Sequence, residues 1–107
     1  MKISVRPAAR RDIILQVGYY LEQRAYDAAE RFPPAVQEAF ARIQEQPGIG
    51  APCSFDHPEL VDLRCWPIPG FEEIRVYYLP AGPNLIRVVR VLHGKRDLAR
   101  VLGDVAE

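Results

Sequence analysis

Apolar residues in this chain recur at helical spacing as far as Ile43 and at alternating spacing from Leu63 onward, and the period changes once. A first half of helices followed by a run of strands predicts segregated layers, an α+β fold, rather than the repeating strand-helix units of a parallel sheet. Ile3 and Val5 alternate with polar neighbours ahead of Pro7, which predicts a short N-terminal strand. Pro7 suits the first turn of a helix, and Ile13, Ile14, Val17, Tyr20 and Leu21 then read as its core stripe, with Arg10, Arg11 and Glu22 toward water. Asp27 and Glu30 have the spacing of a capping box, and Ala29, Phe32, Val36, Phe40 and Ile43 continue as a second stripe, the return helix of a hairpin. Pro33 and Pro34 interrupt that stripe. Each interior proline costs a helix about 3 kcal/mol, so a kink or restart is expected there. Pro47, Gly48 and Gly50 end the helical half, and Ala51 to Pro58 reads as a loop.

The segments Leu63 to Trp66, Ile74 to Leu79 and Leu85 to Leu92 are rich in valine, isoleucine and tyrosine and are separated by Pro67, Pro69, Gly70, Pro80, Gly82 and Pro83. Together with the first strand they predict a four-stranded, antiparallel-rich sheet, covered on one face by the hairpin and left to water or a partner on the other. At 107 residues the chain is expected to form one domain, followed by a short C-terminal tail. Fourteen basic residues balance fourteen acidic ones, so total charge argues for neither a nucleic acid nor a membrane, and local clustering must carry any such argument. From Leu85 to Arg100 the chain holds Arg87, Arg90, Lys95, Arg96 and Arg100 against the single acid Asp97. Such a patch can meet phosphates or an acidic protein, or can be spent on cross-strand pairs with Glu72, Glu73 or Asp97. The opening residues lack the apolar run of a secretion signal and no stretch is long enough to span a bilayer, so a cytoplasmic protein is expected. Cys53 and Cys65 lie twelve apart without the spacing or histidines of a zinc site, His57 supplies too little to change that, and neither metal nor cofactor is assigned.

Three segments carry a resemblance. Val88-Val89-Arg90-Val91-Leu92-His93-Gly94-Lys95-Arg96-Asp97 resembles the last strand and HGxRD-like turn of ParE-type toxins. Leu63-Arg64-Cys65-Trp66-Pro67-Ile68-Pro69-Gly70-Phe71-Glu72 resembles the same group's R-x-F-P-V-P-G-F-E pattern, and Ile74-Arg75-Val76-Tyr77-Tyr78 the strand that follows it. Their order and spacing match over nearly the whole chain, which is therefore similar to ParE-like toxins of the RelE/ParE superfamily of type II toxin-antitoxin systems. The Pro33-Pro34 pair departs from the pattern.

The resemblance implies a toxin that arrests growth by binding DNA gyrase, serves in plasmid stabilisation, and is neutralised by a ParD-like antitoxin whose C-terminal segment folds onto it. Direct contact with nucleic acid is implied only through the antitoxin complex. Arg87, Arg90, Lys95, Arg96 and Arg100 are the target-binding candidates, with the Leu98 to Leu102 tail beside them. Trp66, Phe71 and Tyr78 are candidate anchors for the antitoxin, and each serves equally well as core. The alternative is a RelE-like, ribosome-dependent mRNA endonuclease, for which Arg75, His93 and Arg96 are the catalytic candidates. Around Trp66 and Ile68 apolar residues occupy the lysine positions of that subfamily, and Leu102 occupies its tyrosine position. Leucine moves no proton and an apolar pair stabilises no anion, so the binding reading is preferred.

Overall fold

The computed structural model describes residues 1–53 and 58–94. Strand β1 (Lys2–Val5) leads into helix α1 (Pro7–Glu22) and helix α2 (Tyr26–Glu45); β2 (Ala51–Pro52), a 3₁₀ turn (Pro58–Leu60), β3 (Arg64–Ile68), β4 (Phe71–Gly82) and β5 (Leu85–His93) follow. The sheet runs β1-β5-β4-β3-β2, with β1 parallel to β5 and every other pair antiparallel. The expected α+β layering is present. The sheet has a fifth strand because two residues of the segment read as a loop, Ala51 and Pro52, pair with Cys65 and Arg64 at the edge beyond β3.

Pro7 opens α1, where its missing N–H would have had no partner in any case. The link to α2 is tight: Ala25 N donates to Tyr20 O and Arg24 N to Leu21 O, a Schellman closure with Arg24 in the left-handed position at φ 59°. Helix α2 is one element through Pro33 and Pro34, so the expected kink or restart does not divide it. Both rings lie on the exposed side, while Ala29, Phe32, Val36, Ala39, Phe40 and Ile43 bury the opposite stripe. Burial of that stripe outweighs the two lost hydrogen bonds. The capping box is also absent: α2 starts at Tyr26 with no side-chain cap, and Asp27 pairs with Arg31 one turn on, at 2.7 Å.

Both faces of the sheet are buried, which corrects the expectation of a face left to water or a partner. Against the helices lie Ile68, Ile74, Val76, Tyr78, Ile86, Val88 and Val91. On the other face Leu60, Leu63, Cys65, Tyr77, Leu79, Val89 and Leu92 form a second cluster, with Cys53 packed against it. Strands that carry apolar residues at successive positions, as at Tyr77-Tyr78-Leu79 and Val88-Val89, fill two cores at once. Register shifts between Tyr77 and Tyr78 and between Pro80 and Gly82 accommodate the long β4 against β5.

Candidate docking groove

Helix α1 buries only part of its apolar surface. Ala9 is fully buried and Ile13, Val17 and Tyr20 pack against the first core at i, i+4 and i+7 spacing. Ile14 and Leu21, expected in that stripe, are off it by about one residue's rotation and stand 69% and 49% exposed. Leu15 is 64% and Tyr19 54% exposed. Large apolar side chains left exposed together on one helix mark a surface that a partner can cover.

Beside that surface runs a groove of about 850 Å³. One wall is α1, through Asp12, Leu15, Gln16, Tyr19 and Tyr20; the other is the β3–β4 turn and the start of β4, Gly70 to Ile74; the end of β5, Val91 to His93, completes it. The turn is held open by Gly70 at φ 82°, whose N–H donates to Glu72 Oε2 at 2.6 Å. Phe71 meets Phe32 edge-on with ring centres 5.1 Å apart, lies 5.8 Å from Tyr20, and carries the Arg31 guanidinium 5.6 Å from its centre. At the groove's end His93 Nε2 and Glu73 Oε2 are 3.1 Å apart, and His93 Nδ1 is buried without a partner.

Asp12 ties the helix wall to the sheet. Its carboxylate accepts two hydrogen bonds from Arg90, both at 2.7 Å, and a third from Val91 N at 3.0 Å. The two side chains are 18% and 8% exposed, so the pair is largely withdrawn from water and locked by its fork geometry.

The candidate residues separate accordingly. Arg90 is neutralised by Asp12 and holds the groove together, leaving no free cation for a target. Arg87 stands opposite Leu79, on the second face of the sheet. Lys95, Arg96 and Arg100, together with His57, Asp97 and the Leu98 to Leu102 tail, lie outside the described residues. Of the aromatic anchors, Phe71 lines the groove, while Trp66 packs on the first core with its indole N–H buried and unpartnered. Tyr78 is 1% exposed, and its hydroxyl accepts from Gly50 N and donates to Pro47 O, which makes it core. Arg75 is not at the groove: its guanidinium faces Cys65, in the second cluster, 3.9 Å from the sulfur. Arg75 and His93 therefore do not converge on one centre. Among the described residues no group of three histidine, cysteine or acidic side chains could hold a metal, and no helix is long and apolar enough to cross a membrane.

Sequence reasoning missed Asp12, Leu15 and Tyr19; Glu73, named there as a cross-strand partner for an arginine, pairs with His93. The available signal was the i, i+4 pair Leu15 and Tyr19, one step off the core stripe of α1.

Comparison with known proteins sets this geometry in context. Residues 3–98 match a family model described as the ParE toxin of type II toxin-antitoxin system, parDE. Among solved structures, a chain of the chromosomal ParDE TA system from P. aeruginosa superposes with a TM-score of 0.68 at 15% identity, over 89% of this chain and 97% of that one. No curated protein sequence matches the chain.

Proposed function

Because the chain belongs to the ParE toxin family of type II toxin-antitoxin systems, we propose that it arrests growth by binding DNA gyrase and that a ParD-like antitoxin silences it by folding a segment into the groove along α1. The observation that carries the second half is the bare apolar side of α1, where Leu15 and Tyr19 stand more than half exposed beside the groove of about 850 Å³. An amphipathic segment that is disordered alone gains its fold by covering such a surface. Phe71, fixed by Phe32 and Tyr20, is the rigid aromatic contact on the sheet side. Trp66 is the second candidate contact. For the target, Arg87, Lys95, Arg96 and Arg100 remain the candidates, with Arg90 reassigned to holding Asp12.

Binding rather than RNA cleavage is supported by the separation of two of the three nuclease candidates, Arg75 and His93; the third, Arg96, lies outside the described residues. Phosphodiester cleavage needs a proton carrier and a cation on the same phosphate. His93 is engaged with Glu73 at the groove, whereas Arg75 faces Cys65 on the other side of the sheet. The test is induction of the toxin without its antitoxin. Growth arrest is expected with filamentation and a DNA-damage response while translated messages stay intact by primer extension. New 5′ ends on those messages, lost in a His93→Ala variant, would reverse the assignment in favour of the nuclease.

A further inference from the structure

The second core contains an arrangement that neither gyrase binding nor antitoxin binding uses. β2 and β3 pair Ala51 with Cys65, and the ladder continues one step through Cys53 N donating to Leu63 O at 2.8 Å. Residues two apart on a strand share a face, so Cys53 and Cys65 are diagonal neighbours on the same side of this pair. Both belong to the second cluster, Cys65 at 8% exposure and Cys53 half-buried against it. Arg75 faces them with Nη1 3.9 Å from Cys65 Sγ. Its Nε is buried without a hydrogen-bond partner, and its charge is matched by no carboxylate among the described residues. Among the described residues, the group this guanidinium meets is the Cys65 thiol.

We propose that Cys53 and Cys65 form an oxidative modification site, closed to a disulfide by a peroxide, with Arg75 set against the Cys65 sulfur that attacks first. In the first step the Cys65 sulfur attacks one peroxide oxygen and the O–O bond breaks. The other oxygen leaves as hydroxide and takes a proton to become water, and Cys65 becomes a sulfenic acid. In the second, the Cys53 sulfur attacks the sulfenic sulfur, the S–O bond breaks, and the departing hydroxide leaves with the Cys53 proton as a second water. Two thiols are thus oxidised by two electrons and one peroxide is reduced to two waters. Burial pushes the Cys53 thiol up, the Cys65 sulfur beside it adds to the rise and Arg75 opposes it, which suits Cys53 to the second, resolving step. The bond would pin the edge strand β2 to β3 and close the segment between the two cysteines.

The test is oxidation of the purified full chain at low concentration with hydrogen peroxide, followed by intact mass and thiol titration. The expected product is a monomer lighter by about 2 Da with no free thiol, returned to the starting mass by dithiothreitol. Cys53→Ser is expected to stop at a sulfenic acid that dimedone traps on Cys65, and Cys65→Ser to resist oxidation. Arg75→Leu, which removes the guanidinium contact to the Cys65 sulfur, is expected to slow closure by up to about tenfold, and Arg75→Lys to restore most of the rate. Oxygen added separately to each sulfur, bonds formed only between molecules, or two thiols that survive peroxide would each overturn the proposal. An unchanged rate in Arg75→Leu would remove the guanidinium from it. The cysteine variants decide the pairing even where Arg75→Leu does not fold.

Discussion

Arg24 occupies a backbone position that glycine normally fills. At φ 59° its Cβ crowds the following carbonyl, yet the Schellman closure between α1 and α2 requires that conformation. Arg24→Gly is therefore expected to raise unfolding free energy by about 0.5–1 kcal/mol, the relief of crowding less glycine's larger unfolded-state entropy, as read from urea denaturation. A loss of stability would mean that the arginine side chain has a role of its own. Tyr77 makes a second residue-level prediction. Burial pushes its hydroxyl from 10.0 up to about 12, with the neighbouring cysteine sulfurs adding to the rise and Arg75 opposing it. The folded state thus keeps the proton where the unfolded chain has released it. Stability from this group is intact below pH 10 and falls between pH 10 and about 12, by up to about 3 kcal/mol across the window. Tyr77→Phe is expected to flatten that alkaline decline, and equal slopes in both proteins would contradict it.

Among the elements, the passage from α2 into β2 is the most constrained. Gly50 N donates to Tyr78 Oη, Tyr78 Oη donates to Pro47 O, and Arg64 Nη1 donates to Gly50 O at 2.7 Å. A Cβ on Gly50 would lie 2.6 Å from Tyr78 Oη and 2.9 Å from the Cys65 carbonyl oxygen. Gly50→Ala is expected to cost about 2 kcal/mol, and less in a Tyr78→Phe background, where the closest atom is gone. Additive losses in the double variant would place the strain on the Tyr78 ring carbon Cε1, at 2.8 Å, and the Cys65 carbonyl, both of which remain. This close approach was invisible in the sequence, where Gly50 read as a helix terminator, because it depends on a tyrosine 28 residues away. Element identity was legible where one period dominated. The α2 stripe from Ala29 to Ile43 and the strands around Ile74 and Val88 follow their apolar spacing. The restart expected at Pro33 and Pro34 does not occur, because the buried stripe offsets the local cost. The uncovered sheet face misled for a related reason: in β4 and β5 apolar residues stand at adjacent positions, a pattern of burial on both faces.

At the scale of the whole molecule, both sheet faces are buried and, among the described residues, α1 carries four of the seven exposed large apolar side chains, Ile14, Leu15, Tyr19 and Leu21, the surface proposed for the antitoxin. Leu15→Glu is expected to change stability by less than about 0.5 kcal/mol, because the side chain is 64% exposed, while weakening antitoxin binding by about 100-fold in calorimetry. An unchanged affinity would move the antitoxin elsewhere. Family membership was legible in three ordered motifs, but the groove was not, since motifs record shared residues whereas Leu15, Tyr19 and Asp12 meet β4 and β5 only once α1 folds back. The same folding removes Arg90 from the basic patch by giving it to Asp12. Addition of the purified chain to DNA gyrase and relaxed plasmid measures most directly whether the chain acts by binding that enzyme. Dose-dependent loss of supercoiling that the cognate antitoxin reverses is expected; full supercoiling in the presence of excess toxin would contradict gyrase binding.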